Sequence, residues 1–271
     1  MFRERGIEIK TPEQVDMMRA AGLVVGETLE LLRGSIRAGM TTAELDAVAE
    51  ENIRANGAVP SFKGYHGFPA SICVSVNDEV VHGIPGDLVI AEGDVVSIDC
   101  GAILDGWHGD AAITVAVGDV PPEALELMRV TEEAMWRGIA AARLGGRVSD
   151  ISHAVESYVR SQGGYGIVED YVGHGIGTAM HQPPSVPNYG RPGKGPKLVR
   201  GLALAVEPMV VLGDHSTHVL DDEWTVKSDD GSLAAHFENT FTLTPDGPWV
   251  LTALDGGEER LTALGVPFGG R

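Results

Sequence analysis

The feature that most constrains the fold of this chain is a set of ionisable residues inside apolar or glycine-rich runs of strand-like sequence. Six residues share this setting: Asp99, Asp110, His174, His181, Glu207 and Glu238. Burying a carboxylate without a partner is costly, because the charged group loses its hydration. Four carboxylates and a histidine at one place would most economically hold two divalent metal ions. We therefore expect a fold that brings these side chains to one interior site.

The composition is that of an ordinary globular enzyme with an acidic surface. The chain has 271 residues, of which 43% are hydrophobic, and a formal net charge of -19. Because nucleic-acid affinity depends on Lys and Arg side chains that neutralise phosphates, this charge argues against DNA binding. The exception is a basic stretch in a Gly/Pro-rich loop, formed by Arg191, Lys194, Lys197 and Arg200. It is either a solvated loop or a weak contact with an RNA-rich partner such as the ribosome.

Cysteine usage and the start of the chain favour a cytoplasmic location. Cys73 and Cys100 are too few for a disulfide framework and lie in apolar runs, which suits reduced thiols. Residues 1–10 are charged and lack the apolar stretch of a signal peptide. No run approaches the roughly 18 apolar residues that span a bilayer. We expect a cytoplasmic protein that does not enter the membrane, with a monomer as the default assembly.

Two helices are expected in residues 11–57, before any of the ionisable residues above. Thr11 followed by Pro12 and Gln14 has the hydroxyl cap, the proline and the amide of a capping box, and predicts a helix to about residue 33. Thr41 and Glu44 repeat the box at the start of a second apolar-faced helix, which Gly57 ends.

A β-hairpin is the strongest local prediction. The Asp105-Gly106 pair is a tight-turn signal between strand-like residues 95–104 and 107–117. Centring the hairpin on that pair places residue 99 opposite residue 112. Asp99 and Asp110 are then diagonal neighbours on one face of the sheet, within reach of a single site. Taken alone, such a pair is as readily an edge or turn device as a pair of metal ligands.

The rest of the chain repeats this order of helices followed by strands. Helices are predicted at 121–144 and 149–162, the latter with Ser149 as its N-cap and Gly163 as its end. Strands are predicted near residues 71–76, 166–173, 202–212, 223–227 and 234–244. Helices grouped between strand hairpins favour an α+β fold over a doubly wound parallel sheet. No linker is evident, so we expect one catalytic domain, residues 1–271, with the helical segment 11–57 packed on it.

The histidines and glutamates each have a structural explanation as well as a functional one. His174 lies between glycines, and His181 follows just before two prolines, in a setting that fixes an imidazole over a cavity. Glu207 and Glu238 are each as readily outward residues on half-exposed strands, but both together are hard to explain in that way. His82 is a loop histidine, a support for the site or a substrate contact. Oxygen ligands with one imidazole suit Co, Mn, Fe or Zn.

Several runs match one known family in order and spacing over nearly the whole chain. They are residues 77–85, 98–102 with 106–110, 173–177 with His181, 206–209, and 224–227. Together these runs resemble the type I methionine aminopeptidases of metallopeptidase family M24. The resemblance implies a pita-bread fold, an antiparallel sheet with pseudo-two-fold symmetry and helices on its outer face. It also implies an enzyme that removes the N-terminal methionine from nascent proteins and peptides, with a preference for a small second residue.

The resemblance further implies a role for each site residue. Asp110 and Glu238 would bridge two divalent ions, Asp99 would complete one of them, and His174 with Glu207 the other. The substrate amine would bind the ion at Asp99, and metal-bound hydroxide would attack the scissile carbonyl. Glu207 would transfer protons, His181 would stabilise the carbonyl oxygen, and His82 would contact the substrate. An apolar methionine pocket would be lined by Tyr65, Phe68, Cys73 and Trp224.

Some positions depart from the family pattern, and two other functions compete. Met180 replaces a common aromatic residue, His236 stands where glutamine is usual, and Asn239 stands where histidine is common. A proline-specific peptidase of the same fold is the nearest rival, although such enzymes usually carry a further N-terminal domain. A non-catalytic binding module that kept the fold is the other, and such proteins typically lose metal ligands that this chain retains.

Overall fold

A computed structural model describes residues 6–271 of the protein. The expectation that residues 1–10 form no signal peptide falls partly on residues 1–5, which lie outside the described residues. The helices are α1 (Pro12–Ser35), α2 (Thr42–Ala55), α3 (Pro122–Ala141), α4 (Val148–Gln162) and α5 (Glu258–Ala263). The strands are β1 (Val59–Pro60), β2 (Ile72–Val76), β3 (Glu79–Val81), β4 (Val95–Leu104), β5 (Trp107–Ala116), β6 (Gly166–Ile167), β7 (Gly173–Gly175), β8 (Gln182–Val186), β9 (Ala203–Val206), β10 (Met209–Val211), β11 (Thr217–Val219), β12 (Val226–Ser228), β13 (Ala234–His236), β14 (Glu238–Leu243) and β15 (Pro248–Val250).

The first two helices begin as their capping boxes predict. Thr11 Oγ1 accepts a hydrogen bond from the Gln14 N–H at 3.3 Å, and Gln14 Oε1 accepts one from the Thr11 N–H at 2.9 Å. Thr41 and Glu44 exchange the same two bonds at 3.2 and 2.8 Å. Each box satisfies backbone donors that the first helical turn leaves free, so both predicted helix starts are confirmed.

The prediction that Ser149 caps α4 is wrong. The N-cap is Arg147, whose N–H donates to Asp150 Oδ2 at 2.8 Å. Ser149 Oγ instead accepts a hydrogen bond from the Lys194 N–H at 2.6 Å, so its side chain holds the basic loop. Because Asp150 Oδ2 already accepts the N–H of the N-cap residue, the Ser149 hydroxyl is free for this tertiary contact. The preceding helix α3 also ends at Ala141, before the predicted residue 144.

The hairpin of β4 and β5 has the predicted register, with Asp99 opposite Ala112 and Gly101 opposite Asp110. It lies in a nine-stranded sheet of order β1-β4-β5-β14-β9-β7-β8, in which β2 also pairs with β4 and β15 with β14. The assigned strand pairs are antiparallel. Helix α1 packs across β4 and β5, and α3 packs against β9 and β14. Two helices thus precede each central strand pair, which confirms the α+β class and its repeated order.

Two of the predicted strands are each broken in two, and both breaks lie at the same place. Residues 202–212 form β9 and β10, and residues 234–244 form β13 and β14. In each case one piece belongs to the nine-stranded sheet and the other to a three-stranded sheet of order β13-β10-β6. Pro208 has no N–H to continue a ladder, so β9 ends before it. The two chain segments change sheets side by side, and we call this place the double crossing.

The remaining strand predictions are partly correct. Residues 166–173 do not form one strand, because residues 168–172 are irregular and separate β6 from the start of β7. The two strands belong to different sheets. The strand near 223–227 is β12, which begins three residues later because Trp224 and Thr225 form a turn whose N–H groups donate to Asp222 Oδ1. None of the helices among residues 6–271 has the length and apolar character needed to cross a bilayer.

Candidate active site

All the predicted site residues lie around one cavity of about 120 Å³. The ionisable residues on its walls are His82, Asp99, Asp110, His174, His181, Glu207 and Glu238. The apolar part is lined by Phe62, Tyr65, Phe68, Cys73, Met180 and Trp224. Phe62 was not assigned to the site from the sequence, because nothing in its local sequence distinguishes it from a core residue. Met180 was identified as a departure from the family pattern but was not assigned to the site.

Strand pairing places three carboxylates on one face of the sheet. Ala112 on the central strand β5 is opposite Asp99 on β4 and opposite Glu238 on β14. Paired residues project to the same face, as do residues two apart on one strand, so Asp110 joins them. The small side chain of Ala112 lies between the acidic residues and leaves space above itself.

The double crossing supplies the fourth carboxylate. Val206, the last residue of β9, pairs with Asn239, and Met209, the first residue of β10, pairs with His236. Glu207 and Glu238 therefore lie beside each other where the two segments leave one sheet for the other. This is the local reason why two distant glutamates meet.

His174 faces this acidic group from a strand with little room for other side chains. A Cβ added at Gly173 would lie 2.3 Å from the Ala205 carbonyl oxygen, so the neighbouring backbone excludes any larger residue there. His174 Nδ1 is 3.0 Å from the Gly175 carbonyl oxygen, and Nε2 is 3.4 Å from Glu207 Oε1. Burial and His181 lower the pKa of His174 to about 3, so the ring is neutral. With Nδ1–H donating to the carbonyl, Nε2 keeps the lone pair that a metal ligand needs.

The carboxylates repel one another in a buried place. Burial raises the pKa of Asp99 to about 7, against a hydrogen bond from the backbone of Cys100. Burial and the charges of Asp99 and Glu207 raise the pKa of Asp110 well above its usual value. Burial and the neighbouring acids raise the pKa of Glu207 and of Glu238 in the same way. A cation is the partner that would relieve this repulsion.

Unpaired buried atoms show that the site fits a divalent metal. Within residues 6–271, the buried atoms Asp99 Oδ1, Asp110 Oδ1 and Glu238 Oε1 have no hydrogen-bond partner. Such atoms are rare in folded proteins, because each loses hydration without a replacement. Ligand atoms of Asp110, His174 and Glu238 lie within 4.8 Å of one another. This set of hard oxygens and one imidazole nitrogen suits a divalent ion.

His236 is a further candidate metal ligand. From the sequence it was identified only as a departure from the family pattern. Its Nε2 is buried, has no hydrogen-bond partner among residues 6–271 and lies 3.9 Å from Glu207 Oε2. Ligand atoms of Glu207, His236 and Glu238 form a second group within 4.8 Å, a group that Asp99 does not join. Burial and His82 lower the pKa of His236 to about 3, which keeps it neutral. Its position at the end of an apolar strand, beside Phe237 and Glu238, was the available signal.

The opposite side of the cavity is built from loops. His181 is exposed at the rim, where its Nδ1 is 2.8 Å from the Tyr65 hydroxyl and its ring lies 4.4 Å from that of His174. His82 has a φ of 61°, and burial with His181 lowers its pKa to about 4. Its ring meets that of Trp224 edge-on at 6.3 Å.

Aromatic rings and a thiol complete this wall. Phe68 and Trp224 form a T-shaped pair with centroids 5.1 Å apart. Cys73 is buried opposite Asp99 in the β2–β4 pairing, and burial with that acid raises the pKa of its thiol well above the usual value. The thiol is therefore a neutral, polarizable wall atom beside the acids.

An antiparallel α+β fold with two repeated halves and a buried carboxylate–imidazole site at their junction defines a metal-dependent hydrolase of the pita-bread class. A family model for metallopeptidase family M24 matches residues 16–245. The chain belongs to metallopeptidase family M24.

Individual relatives agree with this assignment. The chain is 54% identical over 247 residues to a methionine aminopeptidase of Clostridium acetobutylicum, and the aligned residues cover 91% of this chain and 98% of that relative. The crystal structure of methionine aminopeptidase from Thermotoga maritima matches with a TM-score of 0.89 and 43% identity, over 91% of this chain and 99% of the other. A prolidase from Pyrococcus furiosus matches at 23% identity with a TM-score of 0.73. The match covers 90% of this chain and 65% of the prolidase chain, and it shows the fold alone. These matches confirm the predicted pita-bread fold.

Proposed function

We propose that this protein removes the N-terminal methionine from nascent proteins and peptides, with a preference for a small second residue. The observation that carries the proposal is one cavity with two unlike walls. One wall holds acids and a histidine fit for metal, and the other holds aromatic rings and a thiol. An enzyme that cuts after a terminal methionine needs both, since it must activate a carbonyl and hold an apolar side chain. The relative of 54% identity bears the name of this activity.

Two divalent ions, of Co, Mn, Fe or Zn, are proposed for the acidic wall. Asp99, Asp110, His174, Glu207 and Glu238 would hold them. The unpaired oxygens of Asp99, Asp110 and Glu238 support this assignment. When bound, the ions would lower the pKa of water to give a nucleophile near neutral pH and would polarise the scissile carbonyl.

Glu207 is proposed to move the proton from the nucleophile to the leaving amine. In the metal-free site, burial and the Asp99 charge raise its pKa well above the usual value of a glutamate. It also lies 3.4 Å from the ring of His174, at the acidic edge of the cavity. A carboxylate within reach of both the nucleophile and the leaving group can accept and then return a proton in one cycle.

His181 is proposed to donate a hydrogen bond to the carbonyl oxygen of the substrate as negative charge develops there. The Tyr65 hydroxyl lies 2.8 Å from its Nδ1. If this hydroxyl donates to Nδ1, the ring proton is on Nε2, which is free to donate toward the cavity. Such a preorganised donor stabilises the transition state more than the ground state. His82, neutral and on the same wall, is proposed to take part in catalysis by contacting the substrate.

The methionine side chain is proposed to lie against Tyr65, Phe68, Cys73 and Trp224. A thioether is polarizable and makes favourable contacts with aromatic rings. The T-shaped Phe68–Trp224 pair and the neutral Cys73 thiol offer such surfaces.

The cellular setting is proposed on separate grounds. We propose a single catalytic domain over residues 1–271, a monomer, that works in the cytoplasm. Two buried cysteines without a disulfide suit that compartment. Arg191, Lys194, Lys197 and Arg200 are all exposed in one loop, which supports a weak ribosome contact through that loop.

The test measures free methionine released from Met-Ala-Ser by chelator-treated protein, before and after each divalent metal is restored. Cleavage of an Ala-Pro peptide is measured in parallel, and the Glu238→Gln variant serves as the matched control. Metal-dependent release of methionine alone, absent from the variant, supports the proposal. Preference for the Ala-Pro peptide moves the assignment to a proline-specific peptidase. Inactivity on both peptides with every metal supports the binding module.

A further inference from the structure

The N-terminal strap, residues 7–10, lies against the loop that carries His181. This histidine loop, residues 176–182, connects β7 to the first residue of β8. The strap is anchored by backbone contacts: the Lys10 N–H donates to the Gly201 carbonyl oxygen at 2.8 Å, and Ile9 bridges Leu202. These contacts do not involve the side chains of the strap, which are left to reach the loop.

Glu8 binds the histidine loop on both sides of His181. Its Oε2 accepts hydrogen bonds from the Thr178 N–H at 3.2 Å, from Thr178 Oγ1 at 2.9 Å and from Gln182 Nε2. Burial alone would raise the pKa of Glu8, but the bonds from Gln182 and Thr178 hold it below the usual value. Hydrogen bonds to an ionised acceptor are stronger than neutral ones.

Lys10 makes a second tie to the same loop. It is 5% exposed, and its Nζ donates to the Ile176 carbonyl oxygen and to the Glu8 carbonyl oxygen. A charged side chain is seldom buried to this extent without a specific purpose. Glu8 and Lys10 together hold the loop at residues 176, 178 and 182.

The loop has no side chain where the strap crosses it. A Cβ added at Gly177 would lie 2.5 Å from Lys10 Cε and 2.6 Å from Glu8 Oε2. Those atoms are the ends of flexible side chains, so an alanine there would displace them from the loop while leaving the backbone in place. A Gly177→Ala substitution therefore disturbs the contact between strap and loop from the loop, without a substitution in the strap.

Four of the proposed metal ligands are held by strands rather than by the strap. Asp99, Asp110 and Glu238 lie on paired strands of the sheet, and His174 lies on β7. His181, by contrast, lies in the loop, and its side chain has one hydrogen-bonding neighbour among the described residues, the Tyr65 hydroxyl. The orientation of its ring therefore depends on how the loop backbone is held.

We propose that Glu8 and Lys10 are positioning residues that hold the histidine loop so that His181 is aimed into the cavity. The inference rests on the proposed role of His181 in the reaction. Neither strap residue touches the cavity, so both act through the loop. Misplacement of a catalytic group by about 1 Å costs up to roughly 100-fold in rate.

The first test is a double-mutant cycle of Glu8→Ala and His181→Ala, scored by kcat/KM on Met-Ala-Ser with the metal-loaded enzyme. We expect Glu8→Ala to lower kcat/KM by about 10- to 100-fold in the wild-type background and to have little further effect in the His181→Ala background. Metal affinity, measured by calorimetry, should be unchanged. Glu8→Gln keeps an acceptor oxygen and should recover most of the activity. Glu30→Ala, which removes a surface ion pair with Arg33 on α1, is the matched control.

The second test is hydrogen exchange, which does not depend on turnover. The Thr178 amide should exchange faster in Glu8→Ala and in Gly177→Ala than in the wild type and in Glu30→Ala. Equal losses of kcat/KM with and without His181, a parallel loss of metal affinity, or unchanged Thr178 exchange would each overturn the inference. If the wild-type enzyme releases no methionine, the proposed function fails, and the exchange data still report whether the strap holds the loop.

Discussion

The two walls of the cavity are held in place in different ways. The acidic wall consists of side chains on paired strands, where Asp99, Ala112 and Glu238 lie in one row across β4, β5 and β14. The opposite wall consists largely of side chains on loops, such as His82, His181 and Trp224, with Cys73 on β2 as an exception. These loop residues are held by contacts such as those of His82 with Trp224 and of His181 with Tyr65. Strand pairing fixes a position to within the register of the sheet, whereas a loop position depends on a few replaceable contacts. Metal binding should therefore resist distant changes, and substrate recognition should not.

Removing a strand carboxylate should have the largest effect. In Glu238→Gln we expect metal affinity to fall by more than the roughly 10- to 100-fold that loss of an outer contact costs, and activity to disappear with it. The metal-free variant should nevertheless be more stable than the metal-free wild type, because a neutral amide replaces a carboxyl whose ionised form is disfavoured by burial and by the neighbouring acids. Calorimetric metal titration and thermal unfolding measure the two effects. The control is Glu50→Gln, the same substitution at an acid that pairs with Lys63 and Arg54 away from the cavity.

His236 tests whether the acidic wall extends beyond its predicted members. Because its buried Nε2 lies 3.9 Å from Glu207 Oε2, His236→Leu should weaken metal binding by about 10- to 100-fold. His236→Gln retains a side-chain donor and should lose less. Metal affinity from competition with a chelating dye distinguishes the variants, and His218→Leu, at an exposed histidine, serves as the control. Equal metal affinity in His236→Leu and the wild type would show that His236 contributes only to packing.

A change in the loop wall should separate substrate binding from metal binding. Trp224→Ala removes the partner of Phe68 and His82, so we expect kcat/KM for Met-Ala-Ser to fall by roughly 10-fold or more. Metal affinity should stay within twofold of the wild type. Trp224→Phe keeps an aromatic surface and should lie between the two. If metal affinity falls with Trp224→Ala, the two walls are not independent.

The metal-free protein should lose stability as the pH rises above 6.5. Asp99, with a pKa of about 7, and the other three acids hold protons in the folded chain that the unfolded chain has already released. The free energy of unfolding therefore falls with rising pH in this window. Below 6.5 the buried histidines oppose the trend, because their lowered pKa values leave them neutral when the unfolded chain binds protons.

The measurement is Tm between pH 6.5 and about 8, with and without metal. We expect a fall of a few degrees in the metal-free protein, at roughly 2–4 °C per kcal/mol. Little change is expected with metal bound, because the cation favours ionised carboxylates in the folded state. A metal-free Tm that is constant or rises over this window would contradict the mutual repulsion of the acids.

The sequence was sufficient to predict what depends on local signals. The Asp105-Gly106 turn fixes the hairpin register, and with it the diagonal arrangement of Asp99 and Asp110. The capping boxes at Thr11 and Thr41 fix two helix starts for the same reason, since all of the interacting groups lie within a few residues. The helix-then-strand order, repeated twice, was enough to predict the fold class.

What depends on long-range pairing could not be predicted from the residues alone. The apolar patterns around Glu207 and Glu238 continue through the double crossing, so each was interpreted as one strand where there are two. Their convergence on one buried site was expected from the apolar runs around them, but their individual roles, and the placing of His82 and Tyr65 on the same cavity, came from the family resemblance. The N-cap of α4 was missed because the tertiary bond between Ser149 and the Lys194 backbone competes with the cap.

The double crossing also indicates where the chain should tolerate changes in length. Side chains alternate faces along a strand, so one residue inserted between Val206 and Met209 would turn Glu207 away from the cavity or shift β10 against β13. The same insertion in the exposed loop at residues 191–195 lengthens a segment that contributes no residue to the cavity. Homologous chains of different length should therefore vary at the loop and keep a constant number of residues across the crossing.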